Sequence, residues 1–86
     1  MDGKIWMPVV SIEDGLMPSE RVVIFNTTKG QRQVFEYVGH CDEEKRRVAV
    51  WVLDYNEETK EALIRIQNCT DFEQHWVAGF NPERKE

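Results

Sequence analysis

Two histidines, two cysteines and two serines are the whole supply of imidazole bases and hydroxymethyl or thiol nucleophiles in these 86 residues. Any catalytic pair or zinc set would need most of them at once. The motifs that usually announce such chemistry are missing too. There is no phosphate-cradling P-loop, no dinucleotide glycine pattern and no G-x-S-x-G elbow. Neither C-x-x-C nor H-x-x-x-H spacing occurs, and these carry most of the signal in zinc motifs. No apolar run approaches the ~20 residues that span a bilayer. The first six residues hold neither a basic stretch nor an apolar signal core, so the expected location is the cytoplasm. Two cysteines, Cys41 and Cys69, are fewer than a secreted domain this small usually carries. They are expected to be free, partly buried thiols. Basic residues are in the minority, 11 against 16 acidic ones, for a net charge of −5. That sign repels phosphate backbones and anionic lipid surfaces. Nucleic acid and membrane are therefore disfavoured as partners, and no cofactor is implied.

What is present is an ordinary apolar fraction, 41%, gathered in clusters. This argues for a folded core and against disorder. Eighty-six residues make one domain. The expected compact unit is 1–80, with 81–86 a charged, frayed tail.

The clearest pattern is a β-meander. Val34, Phe35, Tyr37 and Val38 lie in a first run, 31–41. A second run, 48–55, follows a polar loop, and a third, 62–66, follows the charged loop 57–60. β-Branched and aromatic enrichment marks these as strands, and the short loops make them antiparallel neighbours. Upstream, 21–28 is another strand, and Lys29-Gly30 forms a hairpin turn in which glycine supplies a positive φ. Residues 4–12 form a weaker strand, placed at an edge because Pro8 donates no ladder hydrogen bond. That edge offers a means of pairing across a two-fold axis.

The C-terminal part reads as a short helix over 71–78. Thr70 and Glu73 fit a capping box. Phe72, Trp76 and Phe80 recur every four residues, and Gly79 suits a left-handed terminus. The competing reading is a last strand over 75–80. The fold class is thus mainly β (α+β), a strongly bent antiparallel meander of about five strands with one short C-terminal helix. In strand pattern alone it resembles small SH3-like barrels, a likeness that implies no function. Alternation in 48–55 puts Val48, Val50 and Val52 on one face and Ala49, Trp51, Leu53 and Tyr55 on the other. Two apolar faces predict a central strand covered on both sides.

Candidate chemistry is sparse. His40, Cys41, Cys69 and His75 could supply a zinc set, but adjacent His40 and Cys41 on a strand would face opposite ways. A Cys41–His75 nucleophilic pair lacks any local sign of an activating base or oxyanion donors. The acidic clusters 42–44 and 57–61 read as solvated loop charge. Lys45-Arg46-Arg47 is a basic triplet, neutralised by its acidic neighbours. Three tryptophans are a generous supply for this length, and tryptophan is enriched at interface hot spots. Trp6 and Trp76, near the two ends, are expected to be partly exposed. Trp6, Trp51, Trp76, His40 and His75 are accordingly the candidate binding residues. The expected function is a non-enzymatic protein-interaction module whose partner is another protein or a second copy in a homodimer. The alternatives are a small-ligand binder or small enzyme with a pocket between sheet and helix, and an acidic inhibitor that mimics nucleic acid.

Overall fold

A computed structural model describes residues 4–67 and 73–80. Eight strands follow one another: β1 (Lys4–Pro8), β2 (Ser11–Asp14), β3 (Glu20–Thr27), β4 (Gly30–Tyr37), β5 (Cys41–Asp42), β6 (Arg47–Asn56), β7 (Glu61–Ile66) and β8 (Gln74–Ala78). They form two antiparallel sheets. One has the order β1-β6-β7-β8, with β5 also paired to β6; the other has the order β2-β3-β4.

The expected strand over 4–12 is broken in two. Pro8 ends β1, and the next two amides go to different sheets. Val9 N donates to Arg46 O at 3.0 Å, and Val10 N donates to Ile24 O at 2.8 Å. One stretch of chain thereby edges both sheets. A second tie runs from Thr28 N to Trp76 O at 2.8 Å. The expected run 31–41 is also interrupted, by a 3-10 turn over Val38–His40. Val38 N donates to Ser19 O, one last bond in the β3–β4 register before the turn, and Gly39 lets the Tyr37 ring lie where a Cβ would sit 2.5 Å from it.

The core lies between the sheets. Met7, Val48, Val50, Ala62, Ile64, Ile66 and Val77 come from the first sheet and Val23 and Phe25 from the second, with Phe80 beyond β8. Each sheet supplies the layer that buries the other's apolar face. No helix is needed for this, and the C-terminal segment is a strand. Its burial alternates: Gln74 exposed, His75 buried, Val77 buried, Ala78 exposed. A spacing of four residues is even, so it keeps side chains on one face of a strand as well as of a helix. That degeneracy produced the helical reading at 74–78; Thr70, Asp71 and Phe72 lie outside the described residues. Gly79 does adopt a left-handed φ of 73°, but it ends a strand. Gly30, at φ 120°, closes the two-residue hairpin of β3 and β4.

β6 is central, as its pattern requires, but only one of its faces is covered throughout. Val48 and Val50 are fully buried, while Trp51 and Leu53 remain exposed. The register to β7 slips between Val52 and Asp54. This bulge inserts Leu53 as an extra residue and reverses the parity beyond it. Tyr55 therefore packs against the core instead of sharing a face with Trp51.

Candidate functional site

Following registers outward from Ala49 reveals where the tryptophans go. Trp6 on β1 stands opposite Ala49 on β6. Trp51 lies two residues further along the same face and opposes Arg65 on β7. Leu63, again two residues along, opposes Trp76 on β8. Because side chains alternate between faces, Trp6, Trp51 and Trp76 all project from one side of the β1-β6-β7-β8 sheet, away from the core. Trp6 is 37% exposed and Trp51 40% exposed; Trp76 is half-buried. Neighbouring strands are ~4.8 Å apart, so the three indoles span a patch about three strand spacings wide.

Arg47 enlarges this face at one end. Its guanidinium lies over the Trp6 ring, 5.1 Å from the centroid. Arg47 Nε also donates to Asp42 Oδ2 at 2.9 Å. Asp42 is itself fixed by the Lys45 amide, 3.2 Å from Oδ1. The Lys45 amide first, and Arg47 second, hold the Asp42 carboxyl below its ordinary range. The cation is thus held over the indole, within reach of a cation–π contact. At the other end, Asp54 and Glu61 stand on the same outer face.

The two histidines do not join this surface. His75 points inward from β8 and meets Phe25 edge to face, with ring centroids 5.3 Å apart. His40 closes the 3-10 turn, its Nδ1 3.1 Å from Glu36 Oε1. Glu36 is the buried acid among the described residues, 1% exposed. Its Oε1 also accepts the Tyr37 amide at 2.7 Å, and its Oε2 has no hydrogen-bond partner among the described residues.

Beside this pair, the Cys41 thiol donates to Tyr37 O at 3.6 Å. Burial pushes the thiol up to about 11, and the Glu36 and Glu43 carboxylates add to the effect. Nucleophilic or metal-binding work needs the thiolate, so this environment opposes both. Cys41 is free, and no group of three potential metal ligands occurs among the described residues. Cys69 lies outside the described residues. The loop acids are partly engaged within the chain: Glu43 binds Arg21 Nε at 2.8 Å, and Asp42 binds Arg47.

Sequence reasoning named the three tryptophans but not their common face, and it missed Arg47, Leu63 and Arg65 as their neighbours. Alternation within β6 leads from Trp51 to Ala49 and Arg47. Reaching Trp6 and Trp76 requires the pairing registers, for which the sequence carries no local signal. Among the described residues, no helix is long and apolar enough to cross a membrane. No protein-family model, no curated protein and no solved structure matches this chain.

Proposed function

We propose that this domain is a non-enzymatic interaction module that self-associates through the outer face of β1-β6-β7-β8. The observation that carries the reading is the convergence of Trp6, Trp51 and Trp76 on one side of one sheet, outside the core. Tryptophans on a sheet face provide large, rigid contact area at low entropic cost. The hydrogen bonds of Val9, Val10 and Thr28 between the sheets support reading the body as one bent, barrel-like wrap. Such a body turns this face outward, where Trp6 and Trp51 are exposed. A free Cys41 suits the reducing cytoplasm.

A second copy of the chain is the favoured occupant because the face is self-complementary. Arg65, with Arg47 and its ion-pair partner Asp42 beyond it, lies toward one end, and Asp54 and Glu61 lie toward the other. A two-fold axis through the middle sets basic end over acidic end, with tryptophans between them. The area sets the strength. Four strands by about five residues present roughly 300 Å² per copy. That is well under the ~800 Å² per partner of a standard interface. The dimer is therefore weak, with a Kd on the order of 100 μM.

Sedimentation equilibrium over a wide concentration range, with tryptophan emission recorded in parallel, tests this. Association should rise with concentration, together with a blue shift as the indoles leave water. Trp51→Glu should weaken it at least tenfold while leaving the circular dichroism unchanged. A monomer with constant emission at millimolar concentration would end the self-association reading.

A further inference from the structure

We propose that the groove between the β3–β4 turn and the start of β8 binds a small aromatic anion, a single ring carrying a phosphate or carboxylate. The groove has a volume of about 300 Å³ and is walled by Thr28, Lys29, Arg32, Glu73, His75 and Trp76, among others. That volume is at the lower end of small-molecule pockets, ~300–1,000 Å³, and admits one ring with one charged group.

Three features define the ligand. Charge is the first. In a chain of net charge −5, Lys29 and Arg32 stand together in this groove, and neither has a carboxylate partner among the described residues. Among the described residues, the side-chain hydrogen bond of Arg32 goes to Gln31 O, at 3.2 Å. By contrast, Arg21 and Arg47 are both spent in ion pairs. Glu73, the acid among the described lining residues, already has an interaction of its own. A guanidinium fork beside an ammonium is the donor set suited to an oxyanion. Shape is the second feature. Trp76, half-buried at the β8 edge of the tryptophan face, is also among the residues lining the groove, and an indole offers a ring a surface to stack on. Preorganisation is the third. The Thr28 amide donates to Trp76 O at 2.8 Å, so the β3–β4 hairpin that carries Lys29 and Arg32 is fixed to β8, the strand that carries Trp76.

The groove shares Trp76 with the proposed self-association face, whereas Lys29 and Arg32 belong to the other sheet. The test uses the Trp51→Glu chain in dilute solution, so that dimerisation does not interfere. Phenyl phosphate is titrated while amide and indole N–H signals are followed by NMR; inorganic phosphate and phenol serve as separate arms. Phenyl phosphate should shift the Thr28, Lys29 and Trp76 signals saturably, with a Kd on the order of 100 μM. Each half-ligand should bind at least tenfold more weakly. Replacing both cations, Lys29→Ala with Arg32→Ala, should weaken phenyl phosphate at least tenfold, and these exposed positions leave the fold intact. No saturable shift would overturn the proposal. So would equal affinity for inorganic phosphate, or binding indifferent to the double substitution.

Discussion

Replacing Glu36 by Gln isolates what a buried carboxylate contributes to this fold. The side chain is 1% exposed and faces the interior from β4, opposite Arg21 on β3. Arg21 does not neutralise it: Nε goes to Glu43 at 2.8 Å, and one terminal nitrogen goes to the carbonyls of Pro18 and Glu20. Two contacts hold Oε1, the Tyr37 amide at 2.7 Å and His40 Nδ1 at 3.1 Å, while Oε2 has no partner among the described residues. Hydrogen bonds to a charged group contribute about 1.5–3 kcal/mol each. Taking a carboxylate out of water costs several kcal/mol even after relaxation. The two terms are of similar size, so the charge itself adds little. Gln keeps the shape and the acceptor for the Tyr37 amide. Glu36→Gln should therefore lie within about 1 kcal/mol of the parent, or above it. Glu36→Ala removes the acceptor and opens a cavity, for a loss of about 3 kcal/mol. In a domain of this size that corresponds to a fall in Tm of roughly 12–24 °C. Urea unfolding of the three proteins at neutral pH measures the differences. If Gln proves as damaging as Ala, the reasoning fails, and the charge must be matched by a cation at Oε2.

Two further perturbations test the local chemistry. Raising the Cys41 thiol from 9.0 to about 11 lowers its thiolate fraction near neutral pH about 100-fold, and the greater basicity of the thiolate recovers roughly tenfold. Alkylation of Cys41, followed by peptide mass spectrometry, should be about tenfold slower in the native chain than in urea, and equal rates would refute the burial argument. The same shift favours the protonated native state, so its stabilisation is complete below about pH 9 and is lost as pH rises toward 11, where the urea midpoint should fall. Lys60 ends the β6–β7 turn in the left-handed region, at φ 60°. Lys60→Gly removes ~1–2 kcal/mol of strain against ~0.5–1 kcal/mol of added chain entropy in the unfolded state, for a net gain of about 0.5 kcal/mol. Lys60→Val should lose more than ~1 kcal/mol, and thermal melts of both variants check the sign.

The strands were legible where one property, alternation, decided them. Ala62, Ile64 and Ile66 alternate with Leu63 and Arg65, and all three point into the core. Val48 and Val50 do the same on β6. Legibility ended where two structures share one pattern. Trp76 and Phe80 are four residues apart, which suits a helix face and a strand face equally. The choice fell to partners far away in sequence: Ile64 across from His75, and Leu63 across from Trp76. The cover that the apolar faces of β6 call for was foreseen without its source; on the inner side it comes from β2, β3 and β4, whose inward Val23 and Phe25 close the core.

The outer face shows why exposure of single residues says less than their grouping. Trp6, Trp51 and Trp76 are separated by 45 and 25 positions in the chain. They share a face only because three registers agree in parity: β1 with β6, β6 with β7 and β7 with β8. A one-residue slip in any of them would turn a tryptophan into the core and an aliphatic residue out of it. The bulge at Leu53 acts on the same parity. It falls after Trp51 in β6, so Trp51 stays outside while Tyr55, four residues on, is turned inward. Strict alternation would have set Tyr55 beside Trp51 on the surface. The bulge thus divides β6 into a half that presents an indole to solvent and a half that spends its aromatic on the core; beyond it the outer face continues through Asp54 and Leu63 to Trp76.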